Sequence, residues 1–259
     1  MPSPKWLQRM TWEEFKLNLE RCDVIIIPVG STEQHGGHLP LGTDTFVANT
    51  LAEGASEQTG AIIAPPVWYG WSPHHMVLPG TVTIRPEILI GLLFDIIEAL
   101  AHHGAEKFVV INGHRIVNIS WMQIACEKAQ RVLGIRAAIF DPSYMSKEIV
   151  PELEFGPVGH GDEIESSHML YSYPELYRAE KVLDYIPDYK PLLSADPAFQ
   201  GDTLCYIPST IKNMEKSVKV AKGISGSPSR SCKRKGERYH KHLVQRLSEV
   251  INNMQEKEE

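Results

Sequence analysis

Between Val29 and Thr45 the chain reads VGSTEQHGGHLPLGTDT, which sets Glu33, His35 and Asp44 among glycines with little apolar material around them. Residues two apart point to the same side of an extended segment, so Glu33 and His35 can serve one site. A second polar set, Asn112-Gly113-His114-Arg115, follows the apolar run KFVVI (107–111). A third, Gly159-His160-Gly161-Asp162-Glu163-Ile164-Glu165, stands just before a helical pattern. Imidazoles and carboxylates without thiolates suit Zn²⁺, Mn²⁺ or Fe²⁺ better than Ca²⁺ or a cysteine-bound structural zinc. The set Glu33, His35, Asp44, His114 and Glu165 exceeds what one tetrahedral ion with an open position needs. It suffices for two ions if one carboxylate bridges, and two such ions activate water and polarise a substrate oxygen. His160 is then free to shuttle protons. Each residue alone has an ordinary explanation; Asp44, for example, would suit the first turn of a helix. Their convergence is what argues for chemistry.

The elements that must position them are legible as apolar runs. VIIIPV (24–29), AIIA (61–64), KFVVI (107–111) and IRAAIF (135–140) are continuous rather than alternating, as in strands buried on both faces. Helical patterns lie between and around them. The first, 11–19, carries a capping-box signature in Thr11 and Glu14. Others span 46–59, 86–103 and 118–133, and an amphipathic helix spans 233–254, with Leu243, Leu247, Val250 and Ile251 on one face. Strand and helix alternating at short intervals predict an α/β fold, a parallel sheet with helices on both faces. In such a sheet functional groups gather beyond the carboxyl ends of the strands. The loops leaving Val29 and Ile111 share that edge, which brings Glu33, His35 and Asp44 near His114. From about 178 to 230 the periodicity is poor and proline frequent, so loops and short strands are expected there. With no repeat or low-complexity tract, residues 1–259 read as one domain.

Bulk properties narrow the function. A hydrophobic content of 42% with 22% charged residues is that of an ordinary globular protein. A net charge of −6 argues against nucleic acid as the main partner. Cys22, Cys126, Cys205 and Cys232 show no paired spacing and read as free thiols in a reducing compartment. No apolar h-region follows the start and no run is long enough to span a membrane, so a cytoplasmic, non-membrane protein is expected. Among the other histidines, His102 and His103 end a helix, His240 and His242 fall on a polar helix face, and His38 and His168 read as structural or exposed. His74 and His75 lie in YGWSPHHMVLPGT (69–81), a loop rich enough in aromatics to line a pocket. Tyr69 and His75 are its candidates for touching substrate.

Taken together, PVGSTEQHGGHLPLGTD (28–44), YGWSPHHMVLPGT (69–81), INGHRIVN (111–118), GHGDEIESS (159–167) and the weaker ISGSPSR with KGE (224–237) resemble the creatininase family. The resemblance implies a three-layer α/β/α fold with a mostly parallel sheet and two divalent metal ions per subunit, Zn²⁺ and/or Mn²⁺, with Fe²⁺ also acceptable. It matches Glu33, His35, Asp44, His114 and Glu165 to metal ligands, with Asp44 as the bridge, and His160 to the catalytic histidine. It also implies a homo-oligomer, typically a hexamer, with a small molecule as substrate. The activity implied is hydrolysis of a small polar ring by attack of a metal-held hydroxide on a ring carbonyl. Arg115 and Ile116 depart from the family pattern, and Met145 and Gly156 stand where creatininase has tryptophans, which argues against creatinine. The NGHRIVN form looks like the branch that opens keto-inositol rings such as 3-dehydro-scyllo-inosose. A cyclic or formyl amide is the alternative substrate, and a degenerate binding protein is the alternative to an enzyme. Arg115 would bind a substrate carboxylate, phosphate or hydroxyl array, or else salt-bridge a neighbouring acid.

Overall fold

In the computed structural model, residues 3–115, 117–186, 193–194, 205–206 and 210–256 are described, so Ile116 lies outside the described residues. The chain forms β1 (Lys5–Trp6), α1 (Trp12–Leu19), β2 (Val24–Val29), α2 (Thr43–Thr59), β3 (Ile62–Ile63), α3 (Pro86–His102), β4 (Lys107–Asn112), α4 (Ile119–Leu133) and β5 (Arg136–Phe140). Then follow α5 (Pro142–Met145), α6 (Ile149–Glu152), α7 (Glu163–Ser172), β6 (Leu193–Ser194), β7 (Cys205–Tyr206), α8 (Ile211–Ala221) and α9 (Lys233–Gln255). Five parallel strands form the main sheet in the order β1-β3-β2-β4-β5, with β6 and β7 paired apart from it.

The continuous apolar runs do what they predict. Val24 and Ile26 of β2 join a core shared with α2, α7 and α9, while Ile25, Ile27 and Val29 join one shared with α3 and α4. All five side chains are fully buried. Each such side chain contributes about 1.5–3 kcal/mol of hydrophobic stabilisation, so no single strand residue decides the fold. The result is the expected three-layer α/β/α sandwich.

Several boundaries differ from the sequence reading. The strand at Lys5–Trp6 is too short to show as a pattern, and it extends the sheet beside β3. Helix α2 starts at Thr43 rather than Phe46, because Thr-Asp-Thr reads as loop while a helix N-terminus favours just such a carboxylate. The Thr11 capping box is present, with Glu14 N donating to Thr11 Oγ1 and Thr11 N to Glu14 Oε2. Within 178–230, where loops and short strands are expected, α8 is a helix; Ile211, Met214, Val218 and Ala221 repeat at helical spacing. Cys22, Cys126 and Cys232 are free, and the side chain of Cys205 lies outside the described residues. No described helix is long and apolar enough to cross a membrane.

Strands β2 and β4 end level, with Val29 beside Asn112, and the Gly113 N–H donates to Val29 O at 2.7 Å. The first turn of α2 lies directly on this corner. A β-carbon at Gly113 would stand 2.1 Å from Asp44 O, a main-chain atom with no freedom to yield. Glycine there lets α2 come down onto the strand ends and carry Asp44 with it. Gly113→Ala should therefore destabilise the fold by about 1–3 kcal/mol in chemical denaturation, whereas alanine at Gly91, inside α3 with no neighbour within 4 Å, should raise stability by about 0.5–1 kcal/mol.

Candidate metal centre

The expected convergence occurs. Glu33 and His35 come from the loop after β2, Asp44 from the first turn of α2, and His114 from the turn after β4. Asp44 stands between the two imidazoles: His35 Nε2 lies 3.1 Å from its Oδ1, and His114 Nδ1 lies 3.2 Å from its Oδ2. Glu33 Oε1 lies 3.3 Å from the same His114 nitrogen, and Glu165 Oε2 lies 3.9 Å from His35 Nε2. The potential ligand atoms thus fall into two groups that share Asp44. Two donors bound to one ion at about 2.1 Å are separated by roughly 3.0–3.4 Å, so three of these four gaps have the span an ion would impose and the fourth is slightly wide.

The remaining hydrogen bonds favour that use. Both oxygens of Glu33 and Oδ2 of Asp44 are buried without a hydrogen-bond partner. Buried polar atoms are seldom left so, and unsatisfied carboxylate oxygens facing imidazole nitrogens are what a divalent cation would satisfy. His35 Nδ1–H donates to Glu33 O at 3.1 Å, which leaves Nε2 as the nitrogen directed at Asp44. His114 Nε2 faces Ser72 Oγ at 3.4 Å, and that hydroxyl is within 2.6 Å of Ser31 Oγ. Such outer contacts fix imidazoles for ligation.

Charge balance makes the same point. Burial raises the Glu33 carboxyl to about 7 despite His114 beside it. Burial opposes a charge on His35, but the Asp44 carboxylate, with Glu165 and Glu33, raises its pKa to about 10; Glu33 and Asp44 likewise overcome burial at His114 and raise it to about 9. The acids hold positive charge in the pocket, as protons on imidazole if not as metal.

Residues 8–251 match the profile of the creatininase (creatinine amidohydrolase) family. The chain belongs to the creatininase family. It is 34% identical over 194 residues to the 3-dehydro-scyllo-inosose hydrolase of Thermotoga maritima, a match covering 72% of this chain and 62% of that protein. It is 28% identical over 220 residues to the creatinine amidohydrolase of Pseudomonas putida, covering 76% and 84% respectively. The solved manganese form of creatininase superposes with a TM-score of 0.79 at 27% identity, over 96% of this chain and 98% of that one.

Against that family background, the third polar segment divides its acids among three tasks. Asp162 caps α7, accepting from Glu165 N at 2.9 Å through Oδ1. Glu163 turns away and pairs with Lys235 at 2.6 Å and Arg230 at 3.4 Å. Only Glu165 reaches the cluster, its Oε2 also accepting from Gly161 N at 2.7 Å. Of its two expected uses, Arg115 takes the salt bridge to neighbouring acids. Its Nη2 donates to Glu165 Oε1 at 2.7 Å, Asp162 Oδ2 at 3.1 Å and Gly159 O at 2.9 Å.

His160 lies over the cluster, with Nδ1 3.7 Å from Glu33 Oε1, and burial and nearby His35 hold it neutral, well below the ordinary histidine range. His75 joins it, its Nε2 3.4 Å from the same oxygen and its ring stacked on His160 at 4.1 Å. Tyr69 is 47% exposed, and among the described residues no hydrogen bond or ion pair links it to the cluster. His38 is buried against Ser166 Oγ at 2.8 Å. His168 is buried as well, and His240 is no simple surface residue: its Nδ1 meets His168 Nε2 at 3.0 Å where α9 packs on α7. Gln34, between two ligand candidates but of no metal-ligating type, is 3% exposed and bonded to His75.

Arg115 therefore ties the His114 turn to Glu165. Arg115→Met should weaken zinc retention about 10–100-fold in a chelator competition, with Arg115→Lys recovering part of the loss. Equal zinc affinity in wild type and Arg115→Met would contradict this.

Proposed function

We propose that this protein is a metal-dependent hydrolase that opens a small polar ring, with a keto-inositol of the 3-dehydro-scyllo-inosose type as the favoured substrate. The observation that carries the reading is Asp44: its two carboxylate oxygens face imidazole nitrogens of His35 and His114 at 3.1 and 3.2 Å. His114 and Glu33 would hold one divalent ion with Asp44, and His35 and Glu165 the other. Zn²⁺ and Mn²⁺ suit this donor set, and Fe²⁺ is also compatible with it. Bound there, the pair supplies activated water at neutral pH and polarises a carbonyl oxygen.

The protein's own groups do the rest. Both oxygens of Glu33 and Oδ2 of Asp44, buried without a hydrogen-bond partner, are acceptors already in place for a cation. His160 is neutral, so it accepts a proton at Nδ1 and returns it to the leaving atom, carbon in a β-diketone-like ring or nitrogen in a cyclic amide. His75 flanks it over the same carboxylate. Arg115 is bonded to two acids and a carbonyl, so it is better read as holding Glu165 than as a docking point for an anionic substrate. That favours a neutral polyhydroxylated or amide ring. Similarity to a Thermotoga maritima protein named for 3-dehydro-scyllo-inosose supports the first, and similarity to a Pseudomonas putida protein named for creatinine supports the second.

Purified protein loaded with Zn²⁺ or Mn²⁺ and given each ring should open the keto-inositol faster, and chelation should abolish turnover until metal is restored. His160→Asn should lower kcat by about 10²–10⁴-fold with metal content unchanged. Creatinine turnover matching that of the keto-inositol would reverse the substrate assignment. Full activity after complete metal removal would overturn the mechanism.

A further inference from the structure

Gln34 lies between Glu33 and His35 in sequence, yet its side chain leaves the metal cluster and ends against two main-chain groups. Its Oε1 accepts from Gly36 N at 3.0 Å, and its Nε2 donates to Gly223 O at 3.2 Å. A backbone N–H can only donate and a carbonyl can only accept, so these two contacts fix which end of the amide is oxygen and which is nitrogen. The contact with Gly223 is close enough to need glycine: a β-carbon there would stand 2.3 Å from Gln34 Oε1, at a φ of +86°.

The fixed amide then decides the state of a histidine. Gln34 Nε2 lies 2.8 Å from His75 Nδ1. That nitrogen must accept, so the proton of neutral His75 is on Nε2, the atom 3.4 Å from Glu33 Oε1. Main-chain O of the same Gln34 lies 2.5 Å from His160 Nε2. A carbonyl cannot donate, so His160 carries its proton on Nε2, and its bare Nδ1 faces Glu33 Oε1 at 3.7 Å. Two acceptors facing one another across that gap call for a donor or a cation between them.

We infer that Gln34 is a positioning residue that gives the two stacked imidazoles opposite roles over the metal edge: His75 presents an N–H and His160 a lone pair. A donor and a base held side by side match a substrate that offers an oxygen acceptor next to an O–H or N–H, as a hydroxyketone or a cyclic amide does. The substrate part of this inference rests on the hydrolase reading above; the hydrogen-bond directions do not.

The test is long-range ¹H–¹⁵N correlation on histidine-labelled, zinc-loaded protein, with His75→Asn and His160→Asn spectra for assignment. Wild type should show both rings protonated at Nε2 and bare at Nδ1. Gln34→Glu can only accept from His75, so it should move the His75 proton to Nδ1 and leave His160 unchanged. In that variant kcat/KM for ring opening should fall about 10²-fold with zinc content unchanged. Should Gln34→Glu not fold, Gln34→Met should give a mixture of His75 tautomers. A wild-type His75 protonated at Nδ1, or a tautomer that neither variant moves, would overturn the inference. If the protein opens no ring at all, the functional reading fails while the spectra still decide the role of Gln34.

Discussion

Three carboxylates, Glu33, Asp44 and Glu165, meet in a pocket with almost no solvent, and that concentration of charge is the constraint the rest of the site answers. Burying an ion costs several kcal/mol unless positive charge comes with it. The protein meets Glu165 with Arg115 and leaves Glu33 and Asp44 to imidazoles. The pocket is accordingly built to attract cations. The sheet serves this purpose by ending two central strands level, and Gly113 lets α2 bring Asp44 down between them.

The third polar segment shows how similar residues are sorted by local geometry. Asp162, Glu163 and Glu165 are neighbours in sequence, yet one caps a helix, one pairs with lysine and arginine, and one faces the cluster. Helical spacing explains the sorting. Glu165 sits in the first turn of α7, where its own N–H is held by Asp162 and its carboxylate curls back over Gly161. Glu163 projects toward α9 instead.

Most of this was legible in the sequence because it depends on local pattern. Continuous β-branched runs identify the buried strands, and the rule that chemistry collects beyond strand ends brings Glu33, His35, Asp44 and His114 together. What was not legible depends on contacts between distant residues. Gln34 bonds to Gly223, 189 positions away, so no spacing marks it. His240 looks like a surface residue on an amphipathic helix until α7 supplies His168. Arg115 had two equal readings, and only the approach of the 159–165 segment separates them. Helix α8 is the different case: its apolar spacing was present, but short flanks and frequent prolines hid it.

The central requirement of such a site is that Asp44 join two ions. Anomalous diffraction from crystals of the zinc- or manganese-loaded protein would test it most directly. Two peaks roughly 3.5–4 Å apart are expected, one oxygen of Asp44 bound to each, with His35 on one ion and His114 on the other. A single ion, or ions bound without Asp44, would contradict it.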